Sequence, residues 1–228
     1  DPEMSRGLGD VYKRQLYPLI AIAAMLAIVF VMDLPHMHKP KQQLSQTIRI
    51  PAGQRAQMDL PDGSVVWLNS QTTLTYDEDF GKKDRKVTLD GEAYFEVAHN
   101  KEIPFYVQTE NIKVQVTGTK FDVCSYKGSN SFIARLIEGS INLLTNNAKE
   151  EKPITSLTKG KYFSMENGKY KTGEMSSNNA LAWMQGIYYF DDVPFKELLD
   201  KIALYYNYKI TVKNPKICLL YTSDAADE

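Results

Sequence analysis

The chain has little cysteine and almost no net charge. It contains two cysteines in 228 residues, and its 27 basic and 28 acidic residues leave a formal net charge of −1 at pH 7. Two cysteines allow at most one disulfide, which excludes a disulfide-rich scaffold. A nearly neutral chain has no bulk electrostatic attraction for nucleic acid or anionic lipid, so its charge does not predict binding to either.

Common catalytic signatures are also missing. The sequence contains no Gly-rich phosphate loop, no nucleophile elbow and no HExxH motif. Aromatic and β-branched residues are plentiful instead: 14 Tyr and nine Phe accompany short runs of Val and Ile, a composition that favours β-strands. The length is sufficient for one large domain or two small ones.

The two ends of the chain differ in composition from their neighbours. Back-translation of DVYKRQ, which ends at Gln15, as GATGTGTATAAGAGACAG gives a reverse complement that encodes CLLYT when it is read one base later. CLLYT begins at Cys218, and the ends of a natural protein have no reason to be complementary in this way. Residues 1–15 and 218–228 are therefore predicted to be translated sequencing-adapter DNA and are excluded from fold reasoning. The remaining fragment is expected to be cut at both ends, which leaves Cys124 without a native partner.

Residues 16–32, LYPLIAIAAMLAIVFVM, carry no charge. A helix of this length spans roughly 25 Å, the short end of what crosses a bilayer. A cleaved signal peptide and a buried core helix are the alternatives, but the segment offers no small-residue cleavage site. We predict a single transmembrane helix over 16–32 and a juxtamembrane linker over 33–46. The flanking lysines, Lys39 and Lys41, do not decide its orientation.

Residues 47–172 alternate between apolar and polar side chains. Ile112, Val114 and Val116 share one predicted face, as do Phe121 and Val123. Turn glycines recur at 63, 91, 118, 139 and 160. The pattern predicts a β-rich domain of repeated two-stranded units, solenoid-like or sandwich-like, with glycine at its corners. Asp-Gly and Asn-Gly pairs in this region suit hairpin turns.

The C-terminal part follows a different pattern. Residues 173–182 are polar and predict a linker. In residues 183–217, a helix is predicted from Pro194 onward between two strands, Tyr188–Phe190 and Tyr208–Val212. The apolar side chains that predict this helix are Phe195, Leu198, Leu199, Ile202 and Tyr206. The expected fold is mainly β, with a partial βαβ domain of the α+β class at the end.

No pattern in the sequence points to a catalytic or metal site. Glu92 and Glu96 are four strand residues apart, roughly 13 Å, which is beyond the spacing that paired glycosidase carboxylates use. The segment 77–86 lacks the ligand pattern of a calcium loop and is predicted to be a solvated hairpin loop. His36, His38 and His99 lack partner ligands in the sequence, and Cys124 is read as a small buried residue. No enzymatic activity and no cofactor or metal are expected.

Five ordered motifs resemble the FecR family of anti-sigma regulators. They are GQ…LPDGSxVxLN, RxVxLxGEAxFxV, PFxV, VxGTxFxV and LxEGxV. This chain matches them in register at Gly53-Gln54, Leu60–Ser64, Leu68-Asn69, Arg85, Gly91–Ala93, Phe95, Val97, Pro104-Phe105, Gly118-Thr119, Phe121 and Glu138-Gly139. Ile141 stands where the family usually has valine. The segment from Ala182 onward is similar to the short N-terminal module of secretins and TonB-dependent transporters.

The resemblance implies a transmembrane relay. In the family, a cytoplasmic segment binds an extracytoplasmic-function sigma factor, one helix crosses the inner membrane, and periplasmic domains receive a signal from the N-terminal module of an outer-membrane TonB-dependent transporter. The sigma-binding segment would precede residue 16. We expect the transporter module to pair with an exposed edge strand of the predicted βαβ sheet. The expected contact residues are Tyr188, Tyr189, Phe190, Tyr208, Ile210 and Val212. A membrane-tethered glycan-binding β module and a periplasmic enzyme are the alternative functions.

Overall fold

The computed structural model describes residues 6–33, 44–82, 84–146, 151–175, 178–190 and 193–214. The chain divides into two compact units, Asp1–Gln43 and Leu44–Glu228. The first contains helix α1 (Arg6–Asp33), with Pro18 inside it. The helix begins at Arg6 instead of at residue 16, because extending a formed helix costs much less than nucleating one. His36 and His38 lie outside the described residues.

The side chains of residues 16–30 on α1 are all exposed. By length and hydropathy, none of the helices within the described residues qualifies as a membrane span.

The second unit is mainly β. Its described residues contain thirteen strands: β1 (Ser45–Arg49), β2 (Ala56–Asp59), β3 (Val65–Leu68), β4 (Thr73–Asp77), β5 (Arg85–Glu96), β6 (Phe105–Gln108), β7 (Ile112–Val116), β8 (Lys120–Ser125), β9 (Ser131–Glu138), β10 (Ser140–Thr145), β11 (Pro153–Thr158), β12 (Lys161–Glu166) and β13 (Lys169–Glu174). The first two residues of β1, Ser45 and Gln46, lie within the predicted linker 33–46.

The thirteen strands form one curled sheet with two layers, and the long strand β5 belongs to both. The first half of β5 pairs with β4 and, in parallel, with β6. Its second half pairs with β3 and β8. The first layer therefore runs β1-β4-β5-β6-β7-β10-β11, and the second runs β2-β3-β5-β8-β9-β12-β13. Apart from β5 and β6, every pair is antiparallel.

Gly91 lies where β5 passes from one layer to the other. Asp90-Gly91 is therefore not a hairpin turn, as its sequence predicts, but the middle of a continuous strand. Gly91 has φ +133°, and a Cβ there would lie 2.7 Å from the Thr72 Cα. Glycine is required because the two backbones approach too closely for any side chain.

Most of the other predicted corner glycines also mark changes of layer. Gly118 joins β7 to β8, Gly139 joins β9 to β10, and Gly160 joins β11 to β12, and the strands of each of these three pairs lie in different layers. Gly63 alone of the five lies in a hairpin connection, between β2 and β3. The Asn167-Gly168 pair forms the predicted two-residue turn between β12 and β13, with both residues at positive φ.

The two-stranded units themselves are present and alternate between the layers. The hairpins β6-β7 and β10-β11 lie side by side in the first layer, and β8-β9 and β12-β13 lie side by side in the second. The predicted stacking of strand pairs is thus realised as two interleaved series. The sequence spacing of the glycines does not reveal this alternation, because it is the same whether consecutive units share a layer or not.

The core lies between the layers. Phe95 from the second layer meets Phe105 from the first with ring centroids 5.9 Å apart, and it stacks on Phe121 at 5.1 Å. All three rings are fully buried. Burial of this much aromatic surface is the main stabilising contribution of the domain. The alternation predicted for β7 and for Phe121 and Val123 is confirmed, because the apolar members of both sets are buried.

After β13 the chain forms a 3₁₀ helix (Asn178–Gln185) and then helix α2 (Phe195–Tyr206). The 3₁₀ helix occupies the second half of the predicted linker 173–182, and β13 extends into its start. Helix α2 confirms the predicted helix, and on its surface Lys201 Nζ lies 2.9 Å from Glu197 Oε1. We call residues 178–190 together with α2 the C-terminal segment.

The two strands predicted around α2 are absent from the described residues. Neither 188–190 nor 208–212 pairs with another strand, so the expected βαβ unit is not formed. Residues 188–190 cannot extend a sheet here because Tyr188 turns toward the β domain and stacks on Tyr205. Along 208–212, Tyr208 is 68% exposed and Val212 is 36% exposed, which shows that no sheet covers this stretch.

Candidate functional site

The end of helix α2 is held by loops of the β domain. A helix leaves its last backbone carbonyls without intrahelical partners. Here the backbone N–H of Gly53 and the hydroxyl of Ser70 both donate to the Tyr205 carbonyl, at 2.7 Å each. The side-chain amide of Gln71 donates to the Leu204 carbonyl. Three donors from two loops thus replace the hydrogen bonds that a longer helix would make.

Three charged side chains, which we call the charged cluster, lie beneath the C-terminal segment. Glu92 follows Gly91 on β5, Asp122 lies on the adjacent β8, and Arg135 lies on the next strand, β9. Arg135 donates to Asp122 Oδ2 at 2.6 Å and lies 4.0 Å from Glu92 Oε1. The Asp122 side chain is fully buried and that of Glu92 is 5% exposed. One guanidinium therefore compensates two buried carboxylates.

Three aromatic side chains of the C-terminal segment cover this cluster. Trp183 is 3% exposed and donates its indole N–H to Asp122 Oδ1 at 3.3 Å. The Tyr205 hydroxyl donates to Glu92 Oε2 at 3.2 Å. Tyr188 stacks on Tyr205 with ring centroids 4.3 Å apart. Both carboxylates of the cluster therefore accept a hydrogen bond from the C-terminal segment.

Two further polar contacts complete the interface. The Asn69 side chain donates its amide to Glu92 Oε2 at 2.6 Å, and its Oδ1 accepts from the Tyr188 hydroxyl at 3.2 Å. Arg55 donates to the Trp183 carbonyl at 3.1 Å. No buried side-chain nitrogen or oxygen of the described residues lacks a partner. With the C-terminal segment in place, the buried polar side chains of the described residues are thus fully satisfied.

Burial shifts the ionisation of the cluster. Desolvation raises the pKa of Asp122, with a further contribution from Glu92, while Arg135 acts in the opposite direction. For Arg135, burial opposes the charge, but Asp122 and Glu92 outweigh it, and the pKa is raised. Burial and the charge of Glu92 also raise the pKa of Tyr205. Tyr205 therefore remains a neutral donor toward Glu92 at any physiological pH.

The charged cluster links the β domain to the C-terminal segment through hydrogen bonds. It leaves little room for a substrate. Glu92 and Asp122 accept hydrogen bonds from four different side chains, and the cleft beside them has a volume of about 70 Å³. The second acid considered for catalysis, Glu96, instead contacts Tyr94, whose hydroxyl donates to it at 3.2 Å, and Lys120 at 3.6 Å. The two glutamates of β5 therefore have separate partners.

The six predicted partner-binding residues fall into two groups. Tyr188 and Phe190 are half-buried; Tyr188 faces the β domain, and the ring of Phe190 lies 5.7 Å from Lys201 Nζ. The other four are exposed, namely Tyr189, Tyr208, Ile210 and Val212. Tyr189 and Phe190 also line the 70 Å³ cleft. The sequence placed all six on two strands of one sheet, whereas the structure forms neither strand.

Sequence reasoning did not identify Asp122, Arg135 or Trp183 as a group. Asp122 lies between Phe121 and Val123 and so points away from the apolar face, where a polar residue is normally exposed. Only the cover provided by the C-terminal segment buries it. The sequence contains one signal for this site, because Asn69 and Glu92 both belong to the FecR-like motifs. The apolar–polar alternation of the strands, taken alone, assigns these two residues only to turns and strand faces.

Other candidate residues have structural roles. His99 packs against Gly118, where a Cβ would lie 2.8 Å from the His99 Cα. Burial raises the pKa of the Cys124 thiol well above its ordinary value, so the thiol stays protonated and is a poor nucleophile. The loop 77–86 connects the antiparallel strands β4 and β5, and Phe80 within it is buried against Phe105.

The fold and the site define the protein structurally as a two-layer β domain with a helical segment docked on it. The family model "FecR protein" matches residues 46–142. This match confirms the resemblance for residues 46–142, from β1 into β10. No curated protein matches the chain at a significant level.

Two solved structures share the fold. Both are crystal structures of a candidate anti-sigma factor from Parabacteroides distasonis ATCC 8503. The structure at 2.50 Å resolution is 27% identical over 73% of this chain and 76% of its own, with a TM-score of 0.65. The structure at 1.65 Å resolution is 25% identical over 78% of this chain and 83% of its own, with a TM-score of 0.68. The similarity therefore extends beyond the residues that the family model matches.

Proposed function

We propose that this protein is an anti-sigma regulator and transmembrane signal transducer. The observation that carries the proposal is the FecR domain at residues 46–142, together with the similarity to two structures of candidate anti-sigma factors. In the proposed relay, the protein responds to an outer-membrane TonB-dependent transporter and controls an extracytoplasmic-function sigma factor in the cytoplasm. Its role is regulatory and not enzymatic.

We further propose that residues 16–32 anchor the protein in the inner membrane, with the FecR domain in the periplasm. Support comes from the uncharged sequence of this stretch and from the exposure of its apolar side chains, such as Leu19 at 64% and Phe30 at 68%. Burying these side chains in hydrocarbon would remove a large apolar surface from water. Membrane fractionation tests this assignment: the chain should resist extraction by alkaline carbonate, and release into the soluble fraction would contradict it.

The exposed apolar side chains of residues 187–212 form the proposed receiving surface for the transporter. Eight large apolar side chains are exposed among the described residues from 44 onward, and six lie in this part: Ile187, Tyr189, Tyr206, Tyr208, Ile210 and Val212. Along 208–212, apolar residues alternate with Lys209 and Thr211, which is the pattern of a strand with one apolar face. A strand from the transporter's N-terminal module would pair with this stretch and cover its apolar face.

A binding experiment tests the proposed partner. The purified N-terminal module of the cognate transporter should capture the full chain, and replacing Tyr208, Ile210 and Val212 together with serine should weaken capture at least tenfold. Replacing Tyr170 with serine is the matched control, because Tyr170 is 65% exposed but lies on β13. Equal capture of the triple variant and the wild type would refute the proposed receiving surface.

A second experiment tests the regulatory output. The protein should change expression from a promoter read by the sigma factor encoded beside it, and the effect should depend on the transporter. If deletion of the gene leaves expression from that promoter unchanged with and without the transporter, the anti-sigma assignment is wrong.

A further inference from the structure

We infer that the C-terminal segment is a releasable latch, which detaches as a unit from a β domain that stays folded and thereby uncovers the charged cluster. The inference rests on the proposed function only for what drives release, namely docking of the transporter module on residues 208–212. The latch itself follows from how the segment is attached.

The attachment depends on hydrogen bonds together with a few aromatic rings, and it lies outside the hydrophobic core. Of the residues of α2, Tyr205 alone is buried, and the apolar side chains Phe195, Leu198 and Ile202 remain only half-buried. Neither Trp183 nor Tyr205 belongs to the continuous hydrophobic core, although both are buried. Segments held by few apolar contacts and many hydrogen bonds at the surface are the ones that open first.

The closed state also carries a desolvation cost. Glu92, Asp122 and Arg135 lie beneath the segment, and buried ion pairs recover much of their hydration energy when water reaches them. A small cleft of about 70 Å³ lies beside Glu92 and Arg135, under the aromatic side chains of the segment. Release therefore loses hydrogen bonds but regains hydration of three charges, which brings the closed and open states close in free energy.

The β domain does not depend on the segment. The fully buried Phe95 contacts Phe105 across the layers and stacks on Phe121 within its own layer. The groups that bind the carbonyls at the end of α2, Gly53, Ser70 and Gln71, lie in loops outside this core. Opening would therefore expose Gly53, Ser70 and the charged cluster while the strands keep their pairing.

Native-state hydrogen exchange on the full chain tests the latch without any variant. Amides of α2 should exchange through an opening event at least a hundredfold more frequent than the one that exposes β5 and β8. If α2 and these strands exchange through a common opening at all denaturant concentrations, the segment is part of the β domain and the inference is overturned.

A pair of variants sharpens the test. Ser70→Ala removes a donor to the Tyr205 carbonyl, and loss of one such hydrogen bond should increase the opening of α2 about fivefold without changing exchange in β5. Ser156→Ala is the control, because it removes an exposed hydroxyl hydrogen bond to Asn142 on the far edge of the first layer. Equal exchange of α2 in both variants would overturn the assignment of Ser70 as a latch contact.

Adding the transporter module separates this inference from the proposed function. If the module binds and accelerates exchange of α2, both are supported. If α2 opens separately but the module has no effect on it, the latch stands and the proposed driver is refuted. If the module binds but α2 never opens apart from β5, the partner stands and the latch is refuted.

Discussion

The β domain and the C-terminal segment of this protein are held in place by different forces. Between the two layers of the sheet, aromatic and aliphatic side chains are fully buried and contact one another directly. Between the sheet and the C-terminal segment, buried carboxylates, a guanidinium and helix-end carbonyls exchange hydrogen bonds. The first arrangement fixes a single structure, because apolar side chains that leave the core find no favourable contacts in water to replace the ones they lose. The hydrogen bonds of the second arrangement can be replaced by hydrogen bonds to water at modest cost in free energy. Substitutions at single residues test this difference.

The largest effect is expected in the core. Phe95→Ala should destabilise the chain by about 3–5 kcal/mol, because it leaves a cavity between Phe105 and Phe121 that the layers cannot collapse to fill. Denaturant unfolding followed by circular dichroism measures the loss. Tyr189→Ala, at a side chain that is 56% exposed, is the control and should change stability little. Similar losses for the two variants would show that the core is not the main source of stability.

A smaller but still large effect is expected at the change of layer. Gly91→Ala should cost about 2–4 kcal/mol, because its Cβ would overlap the Thr72 backbone and its φ of +133° is strained for any other residue. Gly63→Ala is a matched control: its φ is +82°, but no atom lies within 4 Å of the added Cβ, so strain alone should cost about 1 kcal/mol. Equal losses at the two glycines would contradict the close approach of the chains at Gly91.

The C-terminal segment should respond to pH while the core does not. The pKa of Asp122 is raised to about 7 in the closed state, so that state binds a proton more tightly than the open state, in which the pKa returns toward 3.8. The stabilisation of the closed state is fully present below about pH 4 and is lost as pH rises toward 7, so a shift of this size should increase opening of α2 about a hundredfold between pH 5 and pH 8. Hydrogen exchange corrected for its intrinsic pH dependence measures this change.

The titratable and charged groups around Asp122 come from all the elements packed there. They are Glu92 and Tyr94 on β5, Cys124 on β8 and Arg135 on β9. Asp122→Asn should abolish the pH dependence, because the amide oxygen still accepts from Trp183 but does not ionise. Persistence of the full pH dependence in this variant would assign it to another group of the cluster.

A modest effect is expected from the hydroxyl of Tyr205. Tyr205→Phe keeps the ring stacked on Tyr188 but removes the hydrogen bond to Glu92, and it should favour opening by about 1–2 kcal/mol. The fluorescence of Trp183, measured in a Trp67→Phe background so that it is the one tryptophan, should then shift to longer wavelength at lower denaturant concentration. An unchanged midpoint would show that Glu92 does not hold the C-terminal segment.

The smallest effect is expected on the outer face of α2. Lys196 and Asp200 form an ion pair at 2.7 Å, but their side chains are 68% and 65% exposed. Lys196→Ala should change stability by less than about 0.5 kcal/mol, because solvent and salt screen exposed pairs. A larger change would place this face of α2 against a further surface of the protein.

The sequence predicts the β domain better than the C-terminal segment for a physical reason. Strands such as β7 bury every second residue, so their pattern is visible locally, and the stacked two-stranded units follow from repeated glycines. The assignment of Asp90-Gly91 to a turn was wrong, because local preference cannot show that the Thr72 backbone passes within contact distance.

The candidate site was less accessible to sequence reasoning because it depends on contacts between distant parts of the chain. Trp183 and Asp122 are 61 residues apart, and neither has a local pattern that anticipates the other. The strands predicted at 188–190 and 208–212 have good strand patterns, but a strand exists only beside another one. The helix between them was predicted correctly, because its hydrogen bonds are internal.

The alternation of hairpins between the two layers has a consequence for how such domains can vary. Each new strand pair is added at the β11 and β13 edges, one layer at a time, and it leaves every earlier pairing intact. Relatives of this protein could thus gain or lose repeats at that end without redesigning the interior, while β5, β8 and β9, which carry the charged cluster, keep their geometry. Size and signalling would then evolve independently in one continuous sheet.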